Sequence, residues 1–345
     1  MIKRVFKKFF DELIYTLKDS YREIIFCLCF VVLFTYPLPF YILTSGGTLN
    51  VENKVIIDGE YSSKGSFNLA YVNQMRGTLP TYIIAKFNKD WTMYTMEEYT
   101  GSKDEGSDVV DFRDEIELLD SQQMAVKVAY DKAGKSFIVK ENYYYVYWVD
   151  EDVKKSADIK TGDKIISING KKVTTREDYT DETAKTELGD TVSVVLERNG
   201  KEHIVKLKVY ELDNRHITGV VLTPKMTYET DPKIKFKFKE SEGGSSGGLM
   251  LSLSIYNKLI EEDITHGLKI VGTGTIDASG NVGPIGGVKY KLKGAVKDKA
   301  DVFIVPRSIN YDEVKEIMDR KHYNIKIIAV DTFEEALEEL EKLDD

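Results

Sequence analysis

Residues 24–43, IIFCLCFVVLFTYPLPFYIL, carry no charge, and this run constrains the chain more than any other feature. About 20 apolar residues in a helix match the hydrocarbon thickness of a bilayer. A segment apolar all round also leaves no polar face for a surface helix to turn toward water. Residues 24–43 are therefore expected to form a transmembrane anchor. Lys3, Arg4, Lys7, Lys8, Lys18 and Arg22 precede the run. Their charge holds residues 1–23 in the cytoplasm and sends the rest of the chain to the extracellular side of the cell membrane. A cleaved signal is the alternative reading, because Pro37 and Pro39 leave only residues 24–36 uninterrupted. No A-x-A cleavage pattern follows.

The rest of the 345-residue chain is of globular composition, with 42% hydrophobic and 30% charged residues. That length allows more than one domain. The net charge of −9 excludes nucleic acid as the main partner, since phosphate binding needs concentrated positive charge. Cys27 and Cys29 are the only cysteines and both lie inside the apolar run, which excludes a disulfide scaffold and a cysteine zinc site. His203, His216, His266 and His322 show no HExxH spacing, so neither a metal nor a cofactor is expected.

Residues 44–140 read as a β-rich region with one amphipathic helix. VIIDG, GSFNLAYV and TYIIAKF are β-rich runs between glycine and polar turns, and they predict a small β layer. The acidic segment 101–112 is expected to be an exposed loop. Ile116, Leu119, Met124 and Val128 recur at helical spacing within 113–133. Residues 141–212 contain a hairpin signature, two β-rich runs around Asn199-Gly200. They also contain IKTGDKIISINGKKV, which resembles the PDZ domain. The resemblance implies capture of an extended peptide as an added strand. The carboxylate-binding glycine loop of that family is not recognisable in NYYYVYWVD.

The segment 243–259, GGSSGGLMLSLSIYNKL, has the composition of a flexible linker but runs at once into an apolar helix pattern. A glycine loop fixed at a helix N-terminus turns unpaired amides and the positive end of the dipole toward whatever approaches. A serine there needs a base, and a lysine kept neutral by burial can act as one. Downstream, VGTGTIDASGNVGPIGGVKYK at 271–291 offers Lys289 and Lys291.

Together the two segments resemble the proteolytic domain of Lon-family Ser-Lys proteases, over residues 216–345, including VFIVP at 302–306 and the closing TFEEALEEL. On that resemblance Gly244-Ser245-Ser246-Gly247-Gly248 takes the place of GPSAG. Ser246 is then the nucleophile, Lys291 the general base and Thr273 the residue that orients it. Lys289 becomes a surface or loop residue. The amide of Ser246, with that of Gly243 or Gly244, would bind the oxyanion. Serine stands at 245 where the family has proline, and glycine at 247 where it has alanine, so Ser245 is a competing nucleophile.

The expected fold class is α+β: an N-terminal transmembrane helix, a small β layer, a PDZ-like domain and a C-terminal Lon-type α/β proteolytic domain. The order resembles the membrane-anchored PDZ-containing Lon-like proteases. No GxxxxGK[ST] loop occurs, so ATP-independent cleavage of peptides or unfolded proteins is expected. The resemblance also implies a homo-oligomer, a hexamer. The competing expectation is a catalytically silent membrane-anchored PDZ scaffold.

Overall fold

The run LMLSLSIY forms helix Gly248–Leu259, whose first eight residues are all buried. A helix without a polar face needs cover on every side, and a three-layer arrangement supplies it. The computed structural model describes residues 12, 14–100 and 106–343. Two units are present, one from Met1–Thr44 and Asn73–Lys103, the other from Ser45–Val72 and Asp104–Asp345.

In the larger unit the middle layer is a sheet in which Lys326–Val330, Val302–Pro306, Lys269–Gly272 and residues 66–72 of strand Ser66–Arg76 run parallel, followed by residues 45–50 of strand Phe40–Asn50. Parallel strands covered on both faces read as continuous apolar runs, and VFIVP is buried at every position. Alternation then sorts the side chains. Phe67, Ile270, Val302 and Ile304 face helices Gly248–Leu259, Ser107–Lys132 and Phe333–Glu341. Ala70, Val271, Phe303 and Val305 face helices Val288–Lys297 and Ile309–Lys321.

A second core in this unit lies under an antiparallel sheet in the order Val220–Asp231, Ser136–Val149, Lys164–Ile168, Thr191–Arg198, Lys201–Lys208. Asn199 and Gly200 close its hairpin with φ of 52° and 72°, the left-handed pair such a turn requires. Arg198 ties the sheet to the preceding loop through Asp163 at 2.7 Å and Asp158 at 3.0 Å.

Several expectations are corrected. TYIIAKF is not a strand but most of helix Leu79–Phe87. The runs VIIDG and GSFNLAYV do not make a layer of their own: Ser66–Arg76 pairs with Lys269–Gly272, and Val55–Ile57 with Ile234–Phe236. The segment 101–112 is not all loop, because the long helix begins at Ser107; residues 101–105 lie outside the described residues. Residues 220–231, placed by sequence in the proteolytic domain, pair with Ser136–Val149 in the second sheet.

In the smaller unit the apolar run forms helix Tyr21–Thr35, which stops two residues before Pro37. Residues 40–43 already belong to strand Phe40–Asn50 and pair with Thr92–Thr95. Proline lacks the N–H a continuing helix needs and biases the residue before it toward extended backbone. Among the described residues no helix is long and apolar enough to cross a membrane.

Candidate active site

The Gly-Ser loop is held down on three sides. Gly244 N–H donates to the carbonyl of Asp114 at 2.8 Å, and Ser121 Oγ donates to the carbonyl of Ser245 at 3.2 Å. The carbonyl of Ser246 accepts from Gly274 N–H at 2.8 Å and from Thr273 Oγ1 at 3.0 Å. Helix Gly248–Leu259 starts immediately after, capped at Gly247. A Cβ on Gly248 would sit 2.9 Å from Ile276 Cγ2 and 3.0 Å from both Ile276 N and Ser121 Oγ. Only glycine lets the loop approach this closely. A linker would show none of these bonds.

Thr273 follows strand Lys269–Gly272 at its carboxyl end, the end of a parallel sheet where sites are commonly built. Its N–H donates to Ile304 O at 3.0 Å, and its side chain is fully buried. Lys291 lies in the first turn of helix Val288–Lys297, after Gly287 in left-handed conformation with φ of 67°. The amides of Tyr290 and Lys291 both donate to Gly287 O, which turns Lys291 inward with Val288 and Leu292. Lys291 is 2% exposed. Lys289, two positions earlier, is exposed, with its Nζ 4.7 Å from the Tyr290 ring centroid.

Lys291 Nζ donates to Thr273 Oγ1 at 3.1 Å, and Thr273 Oγ1 donates in turn to the Ser246 carbonyl. Burial lowers the Lys291 pKa from its ordinary 10.5 to about 7. The amine is thus poised between its two forms near neutrality, as a general base should be. The Ser246 carbonyl, the Thr273 hydroxyl and the Lys291 amine lie on one line of bonds, and Ser246 is half-buried.

Two assignments change in detail. The Gly244 amide is engaged by Asp114 O, so in this conformation it is not open to an oxyanion, which leaves Gly243 and Ser246. Ser245 turns the other way: its Oγ donates to Glu117 Oε2 at 3.3 Å.

The sequence predicts the long helix but not its part in the site. Asp114, Glu117 and Ser121 fall on one face at spacings of three and four, and that repeat of polar residues was the available signal. Each touches the loop. Glu117 also accepts from Tyr147 OH at 2.6 Å, and Tyr147 belongs to strand Ser136–Val149 of the second sheet. Burial, then the bond to Glu117, pushes the Tyr147 phenol up. Burial and the Glu117 charge likewise raise the Asp120 carboxyl.

Residues 239–342 match the family profile of the Lon protease C-terminal proteolytic domain, and residues 133–209 that of the PDZ domain. A Lon protease of Campylobacter jejuni is 38% identical over 96 residues, 28% of this chain and 12% of that protein. An archaeal Lon protease of Halobacterium salinarum is 33% identical over 112 residues, 32% of this chain and 15% of that protein. The chain thus spans only a small part of the length of the relatives it matches. The PDZ domain of an SdrC-like protein from Listeria monocytogenes is 24% identical, covering 23% of this chain and 85% of that one, with a TM-score of 0.22. The carboxy-terminal matches support a serine peptidase domain of the Lon type.

Proposed function

We propose that this chain is a membrane-anchored, ATP-independent serine endopeptidase that cleaves exported peptides or unfolded proteins on the extracellular side of the membrane. The observation that carries the reading is the buried amine of Lys291, bonded through Thr273 to the serine segment.

Neutral Lys291 accepts the proton of Ser246 Oγ as the oxygen attacks the scissile carbonyl. The resulting ammonium gives that proton to the departing amine as the peptide C–N bond breaks and the acyl-enzyme forms, and the amine of Lys291, neutral again, takes a proton from the water that attacks and releases the acyl group. Thr273 directs the amine by accepting a hydrogen bond from it. The amides of Ser246 and Gly243 stabilise the oxyanion, each donor contributing about 3 kcal/mol. Oligomerisation into a ring, as the Lon resemblance implies, belongs to the same reading.

The PDZ-like sheet presents the substrate as an added strand. With no GxxxxGK[ST] loop in the chain, the substrate arrives unfolded or flexible. The anchor is the apolar segment at 24–43, whose residues 24–35 lie in helix Tyr21–Thr35. Cleavage of an unfolded protein by the purified chain without ATP, lost in Ser246→Ala, tests the reading. Equal cleavage by that variant sinks it.

A further inference from the structure

Helix Leu79–Phe87 has no buried residue. Ile83 is 50% exposed, Ile84 46% and Phe87 87%, beside exposed Tyr82. A helix of this length is marginal in water and normally depends on packing of its apolar face. Here Ile83, Ile84 and Phe87 stay exposed, yet the helix is firmly built. Thr78 N–H donates to Thr81 Oγ1 at 2.7 Å in a capping box, a proline occupies its first turn, and Asn88 N–H closes the last turn on Ile84 O at 2.9 Å.

The helix is also fixed to the last residues of the apolar run. Leu38 N–H donates to Gly77 O and Gly77 N–H to Phe40 O, both at 2.8 Å, and the Phe40 and Tyr82 rings lie 5.7 Å apart. It packs against helix Tyr21–Thr35, which likewise buries none of its residues. The exposed apolar surface of one helix therefore continues onto the other. At the far end stand Lys86 and Lys89, outnumbering Asp90, and Trp91 follows. Lys86 Nζ lies 5.3 Å from the Tyr82 ring centroid, its stem along the aromatic face. Apolar side chains bounded by lysines and aromatic residues fit the boundary of a bilayer, where headgroups meet acyl chains.

We propose that helix Leu79–Phe87 is a second membrane contact, seated in the interfacial layer of the leaflet from which the chain emerges after helix Tyr21–Thr35. It rests on the reading of residues 24–43 as an anchor. Ile83, Ile84 and Phe87 enter the acyl region, and Lys86 and Lys89 meet phosphate groups. The helix thereby holds the chain close to the surface instead of on a single flexible tether.

The test uses the full chain reconstituted in phosphatidylcholine and phosphatidylglycerol vesicles, with or without brominated acyl chains. Phe87→Trp is introduced with Trp91→Phe and Trp148→Phe, so that one indole reports from the helix. Trp148→Phe alone, leaving native Trp91, is the second reporter. Vesicle flotation reads the anchor separately from the helix. The expected result is flotation together with loss of emission in brominated vesicles, greater for shallow than for deep bromines. Flotation with undiminished emission from both reporters overturns the proposal. So does emission that is shielded equally in detergent and indifferent to bromine, which would indicate a second copy of the chain on this face. Failure to float removes the anchor and the proposal together. Loss of peptidase activity has no bearing on any of these readings.

Discussion

Lys291 Nζ lies 3.1 Å from the hydroxyl of Thr273, and burial alone accounts for the fall of its pKa to about 7. The unfolded chain holds this lysine at its ordinary 10.5, so between the two values the unfolded state carries the extra proton. The contribution of Lys291 to stability is therefore complete above 10.5 and is lost as pH falls toward 7. Activity follows the neutral amine in the folded state. Below about 7, kcat/KM should fall by about tenfold per pH unit, levelling above it. Lys291→Met should remove the activity, and Lys291→Arg should not restore it, because a guanidinium stays charged. A flat pH profile from 5 to 9 would remove Lys291 as the base.

The two adjacent serines should separate cleanly. Ser245 Oγ is bonded to Glu117, while the Ser246 backbone is held by Thr273 and Gly274. Ser246→Ala should lower turnover of an unfolded substrate by about a thousandfold or more. Ser245→Ala should keep most of it. Labelling by a fluorophosphonate, located by mass spectrometry, reads the same distinction, and adduct on Ser245 would reverse the assignment.

Thr273 is fully buried and bonded on both sides, so its hydroxyl can be removed or retained without opening the fold to water. Thr273→Val keeps the shape but frees the Lys291 amine to turn. Loss of orientation at a reacting group costs on the order of 10²-fold. We expect that loss in kcat with KM little changed, and recovery in Thr273→Ser. Equal activity of Val and Ser at this position would make the threonine a packing residue only.

What could be read from sequence follows the range of the interaction. The buried run after GGSSGG and the hairpin at Asn199-Gly200 are legible because neighbouring residues set both, whereas the assignment of Lys291 over Lys289 rests on the Lon resemblance. TYIIAKF was misread because its β-branched residues argue for a strand, whereas Thr78, Thr81 and Pro80 build a helix start that overrides them. The parallel pairing of Ser66–Arg76 with Lys269–Gly272 joins strands some 200 residues apart in sequence, as the bond from Asn68 to Ile270 spans 202. No local pattern names such a partner. The role of the long helix was hidden for the same reason: Asp114, Glu117 and Ser121 look like a solvated face until the Gly-Ser loop lies on them.

Glu117 joins two parts of the chain that sequence kept apart, accepting from Tyr147 of the PDZ-like sheet and from Ser245 of the Gly-Ser loop. Hydrogen bonds to a charged acceptor contribute about 1.5–3 kcal/mol each when partly buried. Glu117→Ala removes both partners' acceptor and leaves the Tyr147 phenol without its bond, so the loop should lose its fixed position relative to Lys291. Tyr147→Phe removes one bond and leaves Ser245 held, so its effect should be smaller. The rate of fluorophosphonate labelling at Ser246 should fall in the order wild type, Tyr147→Phe, Glu117→Ala, and Glu117→Gln should recover part of the loss because its amide oxygen still accepts from the phenol. Thermal melts distinguish a loosened loop from an unfolded domain: the labelling rate falls while the transition stays cooperative. Identical labelling rates across the series would mean that Glu117 braces the helix and has no part in placing the serine.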